Sequence, residues 1–245
     1  MAKSTKITKL HNRSKKYSAN AALIAKATEK AKNGILSVSD AVETLSKLEL
    51  PNFKDGCTLE IHFKLNINPT KSDQLIRSNV TLPHGTGKKV IVAAFVNPEN
   101  VAKAKAAGAD IVGSEDLVEE IRLAGKVNFD KAVAEPEMMK KLPAIARILG
   151  TAGVMPNPKT GTVSDDIESM VKAIKAGKVD FRNDKSGNLH FGVGKFSPMF
   201  DNAKLVDNIE KAIDAVEKSK PDVIKKKFVQ SIHLCLAMSP SIRLA

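Results

Sequence analysis

At 245 residues the chain is long enough for one large or two modest domains, each with its own core. A hydrophobic content of 42% beside 27% charged residues excludes wholesale disorder, and no apolar run approaches the roughly 18 residues that cross a bilayer, so no membrane partner is expected. The formal net charge of +12 points to a polyanionic partner, nucleic acid being the commonest, against the plain alternative of a lysine-rich solvated surface.

The first twenty residues hold six Lys or Arg, one His and no acid, either a cleavable organellar presequence or a basic arm lying on RNA. Residues 19–32 read as an Ala-rich helix, and 39–48 as a second helix with Ser39 as its N-cap. Residues 58–65 alternate, with Leu59, Ile61, Phe63 and Leu65 on one face and Thr58, Glu60, His62 and Lys64 on the other, as in a half-exposed strand. Phe53, just before it, is by type more often a core residue than a base-stacking platform. Arg77 to Lys89, RSNVTLPHGTGKK, and Gly153 to Val163, GVMPNPKTGTV, read as rigid turns with a binding or hinge role, not as helix or strand.

Between them, strands are expected at 89–96, 109–112 and 129–134. Helices are expected at 99–107, 115–123 and 137–149, the last closed by Gly150. This alternation predicts a small parallel α/β domain. Further on, a helix at 167–176, a hairpin of 179–183 with 188–193 around Asp184-Lys185-Ser186-Gly187, a helix at 204–218 and a strand at 228–236 complete the chain. Strands from both chain ends then share one sheet backed by helices, an α+β layer. Charge follows the same division: residues 1–69 and 160–245 carry a net +9, residues 70–159 only +3, and Asn68-Pro69 and Asn157-Pro158 mark the changes. The expected domains are therefore 1–69 with 160–245, and an inserted 70–159.

Chemistry-bearing motifs are scarce. Gly85-Thr86-Gly87-Lys88 lacks the earlier Gly and the following Ser or Thr of a phosphate loop, and Gly192-Val193-Gly194 runs on to Ser197 where a dinucleotide fingerprint needs Gly. Cys57 and Cys235 show no CxxC spacing, which suits a reducing compartment. Five histidines form neither HExxH nor a Cys/His run, so no metal, cofactor or catalytic group is expected. With ten aromatics in all and no paired aromatics on strands, folded RNA read by backbone and 2'-OH suits this chain better than stacked single strands.

Four segments, KSDQLIRSNVTLPHGTGK (71–88), AAGADIVG (106–113), MPNPKTGTV (155–163) and FRNDKSGNLHFGVGK (181–195), closely resemble the family of ribosomal protein L-one, in that family's order and in its bacterial or organellar form. The resemblance implies a Rossmann-like domain inserted into an RNA-binding domain made from both chain ends. It implies a non-enzymatic role in the large ribosomal subunit: binding large-subunit rRNA as a mobile stalk, among other ribosomal components, moving with E-site tRNA and releasing it. In bacteria it also implies repression of the protein's own mRNA. The expected place is the ribosome of a bacterial-type cytoplasm, or of an organelle.

Carried over residue by residue, the rRNA contacts fall on Phe53, Thr58, Glu60, Arg182, Asp184, Lys185, Ser231 and Met238. The hinge loops fall on Pro69, Pro83, His84, Gly85, Gly87 and Lys88, and on Pro156, Asn157 and Pro158. Where the family has Thr-Met-Gly, this chain has Ala237-Met238-Ser239, so a hydroxyl is lost and Ser239 adds a side chain where backbone meets RNA. The alternative reading is an α/β enzyme binding a small molecule or phosphate through the PHGTGK and MPNPKTG loops.

Overall fold

The computed structural model describes residues 14–29, 31, 34–49, 53, 56–196 and 200–244. The expected basic arm lies, up to residue 13, outside the described residues. Helix α1 (Lys15–Glu29) and α2 (Val38–Ser46) lead into β1 (Cys57–Leu65). The cap of α2 is Ser37, not Ser39: the Ser37 hydroxyl oxygen accepts from the Asp40 N–H at 3.2 Å, which leaves Ser39 inside the first turn.

The alternation of 58–65 holds. Leu59, Ile61 and Phe63 are almost fully buried, while Thr58, Glu60 and His62 are half-buried on the other face. Strand β1 sits between β7 (Asn188–Phe196) and β8 (Val229–Leu236), and β9 (Ile242–Arg243) extends the sheet in the order β7-β1-β8-β9, all antiparallel. The inner face packs on α2 and α7 (Asn202–Lys218). Leu205, Ile209, Ala212 and Val216 form the apolar stripe of α7, and Leu45 of α2 joins the same cluster. Stacked rings of Phe63 and Phe191, 6.1 Å apart, continue it.

Residues 77–81 of the first turn-like segment are in fact a strand, β2 (Arg77–Thr81). Its five residues carry a single fully buried side chain, Val80, so the sequence shows no alternation, yet they ladder antiparallel onto β6 (Lys178–Arg182). The expected 179–183/188–193 hairpin divides accordingly: β6 pairs with β2, β7 pairs with β1, and only the Asn183–Leu189 bridge joins them. Ile76, Val80, Leu82 and Phe181 pack in the same cluster as the antiparallel sheet.

The middle of the chain forms a parallel sheet in the order β4-β3-β5, from β3 (Val92–Phe95), β4 (Ile111–Gly113) and β5 (Lys131–Ala134). Both faces are covered. Ala93 and Phe95 of β3 face α4 (Glu115–Ala124) and α5 (Ala146–Ala152), while Val92 and Ala94 face α3 (Val101–Ala106) and α6 (Ile167–Lys175). That explains the uninterrupted apolar run at β3. Helix α6 brings Ile167, Met170, Val171 and Ile174, one stripe at helical spacing, and at about 1.5–3 kcal/mol per buried side chain this fixes it to the parallel sheet.

The single helix expected at 137–149 is three pieces: 3-10 turns Met138–Lys140 and Leu142–Ile145, then α5. Pro143 has no N–H to give an α-helical ladder, which keeps the second piece short. Gly150 lies inside α5, and the left-handed cap is Gly153 (φ 71°). The result is an α/β protein with an antiparallel α+β layer from both chain ends and a Rossmann-like parallel layer from its middle.

Candidate nucleic-acid interface

The outward face of the antiparallel sheet is polar across three strands. Glu60 lies between Gly192 and Cys235, His62 between His190 and His233, and Lys64 between Asn188 and Ser231. Three histidines thus stand in one row across β7, β1 and β8. Thr58 leans over Gly192, where an added Cβ would meet Thr58 Cγ2 at 3.3 Å, and β7 carries its register shift beside this point.

The row is a connected chain. His62 Nδ1 and His190 Nδ1 lie 2.8 Å apart, one donating and the other accepting, and His62 Nε2 lies 2.9 Å from Cys235 Sγ. Burial, then the neighbouring His190, lowers the His62 pKa, with Glu60 pulling it up and His233 adding to the lowering. Burial and then Arg243 lower His233. Burial followed by Glu60 pushes the Cys235 thiol up to about 11.

At one end of this face lies the 183–187 turn. The Asp184 carboxylate accepts from the N–H groups of Ser186 at 2.8 Å and Asn188 at 2.7 Å, so Asp184 holds the turn. Desolvation raises its pKa, but those backbone bonds and the Asn188 amide outweigh it and leave Asp184 below the ordinary value. Lys64 Nζ donates to Ser186 O at 3.0 Å and ties the turn to β1. Arg182 and Lys185 are exposed beside it. Arg182 pairs in register with Arg77, which is also exposed, so two guanidinium side chains share one face with no ion pair to either among the described residues. The sequence reading missed Arg77, because its partnership with Arg182 exists only in the β2–β6 register.

At the other end β8 closes in a turn against β1, where Ala237 N donates to Thr58 O at 3.0 Å. Met238 is 78% exposed and is the one non-glycine residue with positive φ, 68°, among the described residues. The Ser239 hydroxyl accepts from Leu236 N–H at 3.0 Å and donates to Pro240 O at 3.1 Å, so it is engaged in the turn itself. Phe53 is 48% exposed.

The two loops expected at the hinge are held unequally. His84 N–H donates to the side-chain oxygen of fully buried Asn208, whose amide donates to Gly85 O at 2.8 Å and Val193 O at 2.9 Å. Pro83-His84-Gly85 therefore sits on the antiparallel layer. Gly85 and Gly87 both have positive φ. Beyond them Lys88 pairs with Asp130 at 2.6 Å, and no helix follows the loop, which removes both the cation and the helix N-terminus a phosphate cradle uses. In the second loop, Pro156 is buried, Asn157 caps the 3-10 turn Pro158–Thr160, and Thr160 O accepts from the Asn79 amide at 2.9 Å. Pro69 is half-buried next to a turn that Asn68 closes by accepting from Thr70 N–H at 3.1 Å. Among the described residues no helix is long and apolar enough to cross a membrane.

The family described as "Ribosomal protein L1p/L10e family" matches residues 23–240. Proteins named large ribosomal subunit protein uL1 are similar over most of their length. The one from Kosmotoga olearia is 45% identical over 85% of this chain and 88% of its own, and that from Deinococcus radiodurans 45% identical over 87% and 90%. The Rhodococcus erythropolis protein is 47% identical over 79% and 80%. With the two-layer fold already in view, these matches are decisive: the chain belongs to the ribosomal protein L1p/L10e family.

Proposed function

We propose that this protein is a non-enzymatic constituent of the large ribosomal subunit, and that the polar sheet face, the 183–187 turn and the turn at Met238 bind folded large-subunit rRNA. The observation that carries the reading is the Arg77–Arg182 pair. Like charges directly opposed on neighbouring strands destabilise a sheet, and a phosphate between them removes that penalty. Thr58, Glu60 and Ser231 then offer hydroxyl and carboxylate groups to 2'-OH groups, the recognition suited to A-form RNA. Membership of the family supports the same partner.

The chain is read as passing between its two domains at 83–91 and again at 175–178. In support, Ile76, Val80 and Leu82 pack with the antiparallel layer and α6 with the parallel one. On this reading the crossings lie inside the 70–159 limits drawn from charge on one side and beyond them on the other. Motion of the parallel layer with E-site tRNA, release of deacylated tRNA, contacts with other ribosomal components and binding of the protein's own mRNA complete the reading, in a bacterial-type ribosome.

The test is binding of the full chain to a transcribed stalk fragment of large-subunit rRNA across a salt series. Arg77→Ala and Arg182→Ala should each weaken binding about tenfold and reduce the salt slope by about 1, while Lys103→Ala on α3 changes neither. Equal effects of all three substitutions would reject this face as the binding surface.

A further inference from the structure

We propose that Glu60, His62 and Cys235 form a binding site for a zinc-class divalent metal ion on the outer face of the antiparallel sheet. One carboxylate oxygen, one imidazole nitrogen and the thiol sulfur lie within 4.8 Å of one another, all three half-buried. His62 Nε2 is the common vertex, 2.9 Å from Cys235 Sγ and 3.7 Å from Glu60 Oε2. Zinc bonds of about 2.0–2.3 Å at tetrahedral angles hold ligand atoms about 3–4 Å apart, so small side-chain adjustments on a rigid sheet complete three corners. The fourth corner faces solvent and takes water.

Ligand chemistry selects the ion. A thiolate with an imidazole and one carboxylate suits zinc or a neighbouring transition metal, whereas calcium and magnesium take oxygen donors. The surrounding groups orient the ligands. When His62 Nδ1–H donates to His190 Nδ1 at 2.8 Å, its Nε2 carries the free lone pair and directs it at the sulfur, the tautomer a metal requires. His190 is thus a positioning residue, and its own Nε2 lies 3.8 Å from Asp184 Oδ2.

On binding, the Cys235 S–H bond breaks, its proton goes to solvent, and the sulfur lone pair forms the S–metal bond with no change in oxidation state. Because the sulfur binds as thiolate, uptake of the ion releases that one proton. The inference does not depend on the rRNA reading, since it concerns the protein alone.

Its test is a titration of the full, RNA-free chain with Co2+. The expected result is one equivalent bound with a thiolate-to-cobalt charge-transfer band, bleached by Zn2+ and lost in Cys235→Ser. His62→Gln should weaken binding at least tenfold, and His190→Gln, which touches no metal, about tenfold, with the band retained at saturation. Absence of the thiolate band, its survival in Cys235→Ser, or unchanged affinity in folded His62→Gln overturns the proposal.

Discussion

Gly177 and Gly85 touch backbone to backbone where the chain leaves and re-enters the antiparallel layer. An added Cβ at Gly177 would lie 2.4 Å from Gly85 Cα and 3.2 Å from its nitrogen, and Gly177 has a φ of 109°, outside even the left-handed helical region. Leu82 N–H donates to Gly177 O at 3.2 Å, so the two segments cannot separate without breaking that bond. Backbone strain of about 1–3 kcal/mol and an overpacking term of similar size put Gly177→Ala about 3 kcal/mol or more below the native chain. For a chain of this length that is a fall in Tm of roughly 6–12 °C. Gly85→Ala makes the comparison. Its φ is 66° and its Cβ would meet nothing closer than Ala176 O at 3.6 Å, so only the left-handed penalty of about 1–2 kcal/mol applies. Thermal and urea unfolding followed by circular dichroism give both numbers. If Gly177→Ala is no more destabilising than Gly85→Ala, the close crossing is not a constraint on the fold.

Replacing Met238 by Gly removes a strained φ but frees the unfolded chain, two effects near 1 kcal/mol that oppose, so stability should shift by less than about 1 kcal/mol while rRNA affinity falls; a fall in urea midpoint with affinity intact would assign Met238 to folding. Because His62 and His233 have folded pKa values below the ordinary 6.5, the unfolded chain binds more protons just below that value. Their contribution to stability is present above about 6.5 and is lost as pH falls through it, so urea midpoints from pH 7.5 to 5.5 should drop, and less steeply in His62→Gln. The carboxylates of Asp110, whose Val92 N–H bond leads the lowering, and Asp130, led by Lys88, act in a separate window, holding stability above about 3.8 and losing it below. A chain in which a short Gly/Ser linker replaces residues 86–176 should keep rRNA affinity within about threefold; loss of binding, with the far-UV spectrum intact, would place RNA contacts on the parallel layer.

The half-exposed strand β1 was legible because its period of two has a single explanation, one wet face and one dry. The helices α4 and α7 were legible for the same kind of reason, a stripe at 3.6 spacing. β2 was not, because a short polar strand with one buried residue, Val80, owes its state to its partner β6. The candidate interface divides in the same way. Thr58 and Glu60 follow from alternation in one segment, and the family likeness supplied Arg182, Asp184 and Lys185. Arg77 beside Arg182, and Cys235 beside His62 across 173 residues, arise from ladder register, which leaves no mark within either segment.

The buried amide of Asn208 makes the first half of the PHGTGK loop part of the base, so the movement between the layers proposed above would begin only at Thr86. What spans the joint beyond that point is largely ionic or singly hydrogen-bonded. Lys131 pairs with Asp180, Lys178 Nζ donates to Gly161 O at 3.0 Å, and the second Asp180 oxygen is buried with no partner. A joint fastened this way slackens as counterions accumulate, and phosphate contacts weaken under the same conditions. On the proposed rRNA-binding role, ionic strength would act on grip and on movement between the layers together, with dilute buffer tightening and stiffening both and concentrated salt loosening both.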